Sequence, residues 1–428
     1  MDPRAALFRQ FDPMRPLGAE EESLYVDWQN ELDLTDDVKQ RLVNAITFDR
    51  GPLCRLFTGH RGAGKTTELN RVKQRLEAGE AGRRFFVSML FAEEWVDLED
   101  VQPEDLVFQV VRQLVLDLQD AGCAFAATRF RNFFSRFRKA VAIEGIELGT
   151  DPLKVSLTLK DLPTARPQFR KLLQGQLPTI YDLVNVKILA EARRTLAERG
   201  FEDILVIIDQ LDRIPQKLIN GRGLTNHENL FLDHAGTLRA LTCNVLYTVP
   251  IELAYSHCQN RLQDVYGGSI LTLPAIPVRD RDGEDSPSGL RMLREIVERR
   301  ARKAEVALDG TFESPKLLTE VLKCSGGHIR GLFVLLRSIL ERTDKLPITQ
   351  ALVDRSLGAA AADMARPLRP GAWKLLDEVR ASHQPVGEDP EAWNGLLRDR
   401  FVLAYRDERG DWYDRNPLLE LVQPERRS

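Results

Sequence analysis

The sequence predicts an α/β protein, and two observations favour this class. Five apolar segments of strand length recur along the chain, at residues 52–57, 85–91, 203–208, 243–249 and 269–273. Between the strands lie segments with helical spacing of apolar residues, such as residues 66–79 and 106–120. Strands that alternate with helices favour a sheet whose faces are covered by helices.

The composition is that of a globular protein with two or three domains. The chain has 428 residues, 43% of them hydrophobic and 29% charged, and a domain has roughly 150 residues. Its 60 basic and 64 acidic residues exclude a globally basic nucleic-acid coat, although a local basic patch stays open. No window approaches the ~20 apolar residues that span a bilayer, and no secretory signal begins the chain. We expect a cytoplasmic protein that contacts no membrane.

The cysteines and histidines predict no metal centre. The five cysteines are scattered and form no CxxC pair, which is typical of free thiols in a reducing compartment. The six histidines form no HExxH motif. His257 and Cys258 are adjacent, but no further ligand stands beside them in the sequence, and we interpret the pair as chance.

The first 50 residues lead into the core. Residues 34–38 have the acids and threonine of a helix start, and Val38, Leu42, Ile46 and Phe48 give an apolar stripe. The first strand, residues 52–57, then runs directly into a glycine-rich turn that precedes a helix.

That turn matches the phosphate-binding motif GxxxxGK[ST] in full, between a strand and a helix. Its glycines let successive backbone N–H groups point at phosphate oxygens, and the helix adds its positive end. Lys65 supplies a charge for the β and γ phosphates, and Thr66 supplies a hydroxyl for Mg²⁺. We therefore predict that ATP and Mg²⁺ are bound by Gly59, Arg61, Gly62, Ala63, Gly64, Lys65, Thr66 and Thr67.

A P-loop also needs an acid at the end of a neighbouring strand. Asp209 follows the apolar residues 204–208, and we predict that it holds Mg²⁺ together with Thr66. Gln210 stands where many P-loop ATPases have a second acid, and glutamine can orient water but is a poor base. Asp212 is a nearby acid that could act instead; the alternative is an ion pair between Asp212 and Arg213.

The next apolar strand, residues 244–248, ends in Thr248. Its hydroxyl could reach the γ-phosphate or the attacking water, and the alternative is that it caps the strand end. We include Thr248 among the predicted catalytic residues.

Residues 124–200 are interpreted as an insertion between two strands. Residues 142–148 and 154–160 alternate polar and apolar, and a turn at 149–152 predicts a hairpin; helices are predicted at 165–174 and 178–198. In residues 129–139, bases are interleaved with phenylalanines. That tract could bind single-stranded nucleic acid, but the helical spacing of its phenylalanines favours a core face.

With these motifs the chain resembles the AAA+ and STAND group of P-loop ATPases. Residues 208–213 (IDQLDR) are similar to the DDLDR-type segment of KAP-family ATPases, with Gln210 in place of an aspartate. The resemblance implies a P-loop NTPase fold, with a parallel sheet in the strand order 5-1-4-3-2, a helical lid and often a C-terminal winged helix.

Residues 317–330 resemble the sensor-2 segment of initiator-type AAA+ proteins. In that segment a Gly-Gly pair precedes a helix that carries an arginine, and the match implies that Arg330 contacts the nucleotide phosphates. From the residues themselves, Gly326 and Gly327 can end one helix, so that Arg330 sits in the first turn of the next. The alternative is a solvated surface arginine.

The end of the chain resembles a winged helix, with residues 391–399 as its second helix and residues 401–406 and 411–414 as its wing. Glu391 and Asp399 offset the bases of that helix, which favours packing on the ATPase core over insertion into DNA. The small residues 358–362 predict a hinge. We therefore expect an N-terminal segment (1–50), a core (51–278) with the insertion (about 124–200), a lid (279–362) and a winged helix (363–428).

The resemblance also implies an arginine supplied by a neighbouring subunit of a homo-oligomer. Arg261 lies at about the expected place, with Arg239 and Arg222 as competitors. Tyr25 could line an adenine pocket, and the alternative is ordinary packing of the N-terminal segment.

Together these features predict an ATPase that acts as a molecular switch and controls a partner protein. Lys65, Asp209, Asp212, Thr248 and Arg330 are its predicted catalytic residues. The resemblance to compact STAND-like ATPases suggests a bacterial antiviral system. Two alternatives stay open: a DNA-binding initiator or loader, and a non-hydrolysing assembly factor locked by nucleotide.

Overall fold

A five-stranded sheet forms the centre of the fold in the computed structural model, which describes residues 2–32, 37–137, 166–219, 223–387 and 389–426. Its strands stand in the order β2-β3-β6-β1-β7, which is 5-1-4-3-2 when the five are counted along the chain. β1 and β3 both pair in parallel with β6, and β2 pairs in parallel with β3. The predicted α/β class with parallel strand pairs is confirmed. The strands of the described residues are β1 (Cys54–Gly59), β2 (Phe85–Phe91), β3 (Asp203–Asp209), β4 (Leu218–Ile219), β5 (Leu224–Thr225), β6 (Asn244–Thr248), β7 (Leu271–Leu273), β8 (Val402–Asp407) and β9 (Gly410–Arg415).

Continuous apolar sequence makes β3 and β6 central strands. Every residue of β6 is buried, and in β3 only the first residue is partly exposed. Strands covered on both faces need apolar side chains at successive positions, not at alternate ones. The run of residues 204–208 meets this requirement.

Helices connect and cover the strands. Two π-helical segments interrupt them, at Leu183–Leu189 and Asn229–Asp233. Short 3₁₀ turns lie at Leu98–Asp100 and Leu211–Arg213, and a longer 3₁₀ segment at Pro417–Arg426. The α-helices are α1 (Pro3–Gln10), α2 (Trp28–Glu31), α3 (Val38–Phe48), α4 (Lys65–Ala78), α5 (Ala92–Trp95), α6 (Pro103–Asp120), α7 (Ala124–Phe137), α8 (Arg166–Gln174), α9 (Leu177–Asp182), α10 (Ala190–Ala197), α11 (Asn226–Glu228), α12 (Ala235–Leu238), α13 (Ile251–Ala254), α14 (Gln259–Tyr266), α15 (Pro287–Lys303), α16 (Pro315–Cys324), α17 (Ile329–Glu341), α18 (Gln350–Ala365), α19 (Pro370–Ser382) and α20 (Pro390–Arg398).

The chain divides into two compact units. The first, which we call the sheet unit, consists of Arg41–Thr58 and Val72–Leu271. The second, the lid unit, consists of Met1–Gln40, Gly59–Arg71 and Thr272–Ser428. Within the described ranges, every helix is too short or too polar to span a bilayer.

Three phenylalanines of the basic tract, Phe130, Phe133 and Phe134, belong to the core of the sheet unit. Phe130 is fully buried, and its ring centroid lies 6.2 Å from that of Phe108 and 4.6 Å from that of Phe134. Phe133 also packs against this core. The helical spacing therefore reflects packing, as favoured from the sequence. The predicted hairpin of residues 142–160 lies outside the described residues.

In the lid unit, the N-terminal helix packs on the lid helices. The rings of Phe11 and Phe333 lie 5.8 Å apart, and the Arg337 guanidinium covers the ring of Phe8 at 3.8 Å. At the other end of the unit, α19, α20 and the antiparallel pair β8–β9 follow one another in the chain. These are the elements that the winged-helix resemblance implies, and the assignment as a winged helix stays a prediction.

The hinge predicted at residues 358–362 is wrong. These residues lie inside α18, which also crosses the expected boundary between residues 362 and 363. Four alanines follow Gly358 directly, and alanine is the strongest helix former. Ala361 is fully buried, so here the small side chains allow close packing within a continuous helix.

Gly358→Ala tests this correction. Gly358 is exposed in the middle of α18, and an added Cβ would meet nothing within 4 Å. We expect the free energy of unfolding, measured by urea denaturation, to rise by about 1 kcal/mol. Gly410→Ala is the matched control: φ at Gly410 is +105°, and alanine there should lower stability by roughly 1–2 kcal/mol. No gain from Gly358→Ala would support a hinge.

Candidate functional site

Residues 59–66, which we call the glycine-rich loop, connect β1 to α4. Gly59, Gly62 and Gly64 all have positive φ, at 153°, 90° and 106°. A Cβ on Gly62 would lie 2.5 Å from the Cβ of Arg330, so both the backbone angle and the close neighbour require glycine there. The strand, loop and helix thus follow one another as the motif predicts.

Lys65 is the first residue of α4 and is buried. Its ammonium donates to the carbonyl oxygens of Gly59, at 2.7 Å, and His60, at 3.0 Å. The charge is therefore held over the loop at the positive end of α4. A helix N-terminus with a lysine above it attracts phosphate oxygens.

The lid helix α17 contacts this loop through its first turn. Gly326 and Gly327 have φ of 60° and 74° and separate α16 from α17, as predicted. The backbone N–H of Arg330 donates to the Gly62 carbonyl at 3.1 Å, and its Nε donates to the Pro13 carbonyl at 2.9 Å. Arg330 is thus brought to the loop, which does not match a solvated surface arginine.

His328 makes a second contact between lid and loop. Its Nδ1 accepts from the Gly331 N–H at 3.0 Å, which caps α17, so its Nε2 carries the proton and donates to the Arg61 carbonyl at 2.7 Å. Burial lowers the pKa of His328 well below its usual range. The neutral ring is therefore a fixed hydrogen-bonding link.

His60 ties the loop to the C-terminal strand pair. Its Nε2 accepts from the N–H of Ala404 on β8 at 2.9 Å, and the Ala404 carbonyl accepts from the N–H of Ala275, also at 2.9 Å. Burial, with the charges of Lys65 and Arg400, lowers the pKa of His60 to about 3. This histidine also accepts its bond in the neutral state.

The sequence did not identify His60 or His328 as functional. His60 occupies a variable position of the motif, and its partner is 344 residues away. His328 had one local signal: it directly precedes a helix and can act as its N-cap. Its bond to Arg61 depends on tertiary contact and has no local signature.

The predicted metal ligand and its neighbours lie in the sheet unit. Asp209 ends β3 and is buried, and its Oδ1 accepts from the Gln210 N–H at 2.7 Å. Gln210 has φ of 71°, and its side-chain oxygen is buried without a hydrogen-bond partner among the described residues. Asp212 is buried in the following turn, and Arg213 pairs with Glu93.

Thr248 joins the ends of two strands. Its Oγ1 accepts from the Leu211 N–H at 3.1 Å and is 3.4 Å from the Ile208 carbonyl, to which it donates. The hydroxyl therefore fixes the turn after β3. This matches the alternative interpretation, in which it caps the strand end.

Two predicted binding residues also hold the N-terminal segment. The hydroxyl of Thr67 accepts from the Leu17 N–H at 3.1 Å. The Tyr25 hydroxyl donates to Glu68 at 3.1 Å and accepts from Lys39 at 2.7 Å, and Arg71 covers its ring at 4.3 Å. Tyr25 is thus packed on α4, as the alternative interpretation had it.

Two of the three candidates for an arginine supplied by a neighbouring subunit lie among the described residues. Arg261, on α14, and Arg239 are both exposed, and Arg222 lies outside the described residues. Which of them completes a neighbour's site stays a prediction.

No protein-family model and no curated protein matches the chain. Among solved structures, it is similar to the Walker-type ATPase PABY2304 of Pyrococcus abyssi, with 16% identity, a TM-score of 0.46 and 97% and 99% of the two chains covered. The Aeropyrum pernix ORC2 protein in its ADPNP–ADP complexes has 16% identity, a TM-score of 0.41 and 97% and 96% covered. The Aeropyrum pernix ORC1 protein in complex with DNA has 15% identity, a TM-score of 0.39 and 94% and 96% covered. At such low scores these similarities carry no functional conclusion for this chain.

The depressed pKa of His60 predicts a loss of stability in acid. Below pH 6.5 the unfolded chain binds a proton at this histidine and the folded protein does not. The free energy of unfolding therefore decreases as the pH is lowered, until the pH reaches the folded-state pKa of about 3. From this one group we expect a loss of about 2 kcal/mol between pH 8 and pH 5.

The variant His60→Gln cannot titrate, and its side-chain oxygen can still accept from Ala404. Urea denaturation at both pH values should therefore show a loss about 2 kcal/mol smaller than that of the wild type. An equal loss in the two proteins would contradict the assignment of a neutral, buried His60.

Proposed function

We propose that this protein binds ATP with Mg²⁺ at the glycine-rich loop, hydrolyses it, and uses the nucleotide state as a switch to control a partner protein. One observation carries the proposal: the loop that holds Lys65 at the start of α4 is also the loop that His328 and Arg330 of the lid contact. The proposed phosphate-binding group, Lys65, and the lid residues that could respond to phosphate, His328 and Arg330, therefore all contact the same segment.

Phosphate binding rests on the chemistry of the loop. The three glycines with positive φ allow the tight curl, α4 presents its N-terminal amides, and Lys65 adds a full charge. Two of its acceptors are carbonyls of the loop, and a hydrogen bond from an ammonium to a charged phosphate oxygen is stronger than one to a neutral carbonyl. We propose that Gly59, Arg61, Gly62, Ala63, Gly64, Lys65, Thr66 and Thr67 form the binding segment.

The donor set for a metal fits Mg²⁺. Thr66 offers a hydroxyl and Asp209 a buried carboxylate, and oxygen ligands are those that Mg²⁺ prefers. When bound, the metal neutralises charge on the phosphates. The hydrogen bond from the Gln210 N–H to its Oδ1 restrains the Asp209 carboxylate, which supports the proposed role.

Hydrolysis requires a group that positions the attacking water. Gln210 stands next to Asp209 with a buried side-chain oxygen that lacks a protein partner among the described residues, and such an oxygen can accept from water. Asp212, buried in the next turn, is the proposed base. Thr248 then acts as a positioning residue, because its hydroxyl holds the turn at Leu211.

The switch is proposed to work through the carbonyl side of the loop. Arg330 and His328 hold the carbonyls of Gly62 and Arg61, and Ala404 holds the His60 ring. A nucleotide that reshapes the loop changes the strength of these bonds, and a ligand shifts an equilibrium by its differential affinity for the two states. The lid and the C-terminal segment would therefore respond together.

We favour a protein partner over DNA for the C-terminal segment, which we interpret as a winged helix. On α20, Arg398 lies 3.7 Å from Glu391 and 3.5 Å from Asp399. Ion-paired bases leave little net positive charge for a phosphate backbone. The antiviral setting and a trans arginine such as Arg261 are proposed from the resemblance alone.

Lys65→Ala tests the binding site. Removing a charged donor to phosphate should weaken ATP binding on the order of 100-fold, measured by calorimetry with Mg²⁺ present. Lys374→Ala is the control, because its side chain is 82% exposed on α19. Unchanged affinity in Lys65→Ala would refute the proposed site.

Gln210→Glu and Asp212→Asn test the hydrolytic machinery. An acid at position 210 supplies a better base, so kcat for ATP should rise about tenfold or more, while Asp212→Asn should lower it about 100-fold. Nucleotide affinity should stay nearly constant in both, because neither side chain is proposed to bind phosphate. If wild type turns over no faster than Lys65→Ala, the protein is instead a non-hydrolysing switch.

A further inference from the structure

A cluster of three metal-ligand side chains lies in the sheet unit, and none of the three belongs to the predicted nucleotide-binding segment. Glu228 is the last residue of α11, and His257 and Cys258 directly precede α14. Among the described residues, this is the group of histidine, cysteine and acidic side chains whose ligand atoms all converge. The sequence showed the pair His257 and Cys258 but not the carboxylate, which comes from a position 29 residues earlier in the chain.

The three ligand atoms form a nearly regular triangle. Cys258 Sγ lies 3.1 Å from Glu228 Oε1 and 3.3 Å from His257 Nε2, and the latter two atoms lie 3.4 Å apart. Zinc bonds of about 2.0–2.3 Å at tetrahedral angles give ligand-to-ligand distances of about 3.3–3.6 Å. The observed triangle is within a few tenths of an ångström of one face of such a tetrahedron.

The surroundings orient these ligands before any ion is considered. The other carboxylate oxygen of Glu228, Oε2, accepts from the Thr225 N–H at 2.7 Å and from its hydroxyl at 2.9 Å, which turns Oε1 toward the sulfur. The N–H of Cys258 donates to the Ser256 hydroxyl at 3.2 Å. Partners that fix the orientation of ligands are a regular feature of metal sites.

We propose that Glu228, His257 and Cys258 bind one Zn²⁺ ion. Thiolate, imidazole and carboxylate together suit zinc better than Mg²⁺ or Ca²⁺, which take oxygen ligands. The fourth tetrahedral position is left to water or to a group from another molecule. Glu228 and Cys258 are buried, whereas the His257 side chain is 69% exposed, so an ion can reach the site from the histidine side.

A bound ion would place a second positive charge close to Arg261. Arg261 follows Cys258 by three residues, in the first turn of α14, and its positive charge acts on the sulfur. A zinc ion bound to this sulfur repels the guanidinium, because both carry positive charge. Because Arg261 is exposed, its side chain can move away from a bound ion.

The test uses the full chain, stripped of metal with EDTA and titrated with Co²⁺ in the absence of nucleotide and Mg²⁺. Co²⁺ bound to a thiolate gives an intense charge-transfer band in the near ultraviolet, and Zn²⁺ then displaces it. We expect one Co²⁺ per chain with this band, and its stoichiometric loss on addition of Zn²⁺. Because no nucleotide is present, the result is independent of the proposed ATPase function.

Three variants identify the ligands, and a fourth tests the effect of the Arg261 charge. Cys258→Ser should abolish the band, and His257→Ala and Glu228→Gln should each weaken Zn²⁺ binding at least about tenfold. Because His257 is exposed, its replacement should leave the thermal unfolding of the metal-free protein unchanged. Arg261→Gln should bind Zn²⁺ at least as tightly as wild type, since it removes a repelled charge.

Cys324→Ser is the matched control for a thiol outside the cluster and should keep the full band. A hydrogen-bonded cluster without metal affinity would give no charge-transfer band in the wild type, and this outcome overturns the proposal. Persistence of the band in Cys258→Ser, or unchanged Zn²⁺ affinity in His257→Ala, overturns it as well.

Discussion

The structure of the lid unit depends on the hydrogen bonds that the carbonyl groups of the glycine-rich loop accept. Those of Gly59 and His60 accept from Lys65, that of Arg61 from His328, and that of Gly62 from the backbone of Arg330. In a trans peptide the C=O and the following N–H point in opposite directions. Holding the Arg61 carbonyl on the side of His328 therefore turns the Gly62 N–H to the opposite side, where it can donate to another group.

These hydrogen bonds couple the lid helix α17 directly to the conformation of the loop. His328 and Arg330 donate to the backbone carbonyls of residues 61 and 62. Any rotation of these peptides therefore changes the hydrogen bonds to the start of α17. His60 extends the connection to β8 through Ala404, and from there to Ala275. Because both histidines are buried and neutral, these links do not titrate near neutral pH. Their strength responds to geometry and not to the protonation of their own rings.

Local patterns in the sequence predicted the sheet strands, the motif and the two glycines before α17. Each of these features depends on residues that are close in sequence. Apolar runs form β3 and β6, and the spacing of residues 59–66 forms the motif. Gly326 and Gly327 adopt the positive φ that separates the two helices. Contacts across hundreds of residues were not predictable, as His60 with Ala404 shows. The hinge error at residues 358–362 had another cause, since small residues suit both linkers and packed helices. The convergence of Glu228 on His257 and Cys258 likewise has no sequence signature. The residues lie about 30 positions apart in the sequence, and only the tertiary structure brings them together.

The central claim is that nucleotide bound at the glycine-rich loop is read by the lid through these carbonyl bonds. Amide hydrogen exchange at Arg330 and Ala404, with and without Mg²⁺ and ATP, measures it most directly, because these two N–H groups donate to the loop. The predicted result is a change in protection of both amides in the wild type and none in Lys65→Ala. Identical exchange of both amides in the wild type, at ATP concentrations that saturate binding, would contradict the claim.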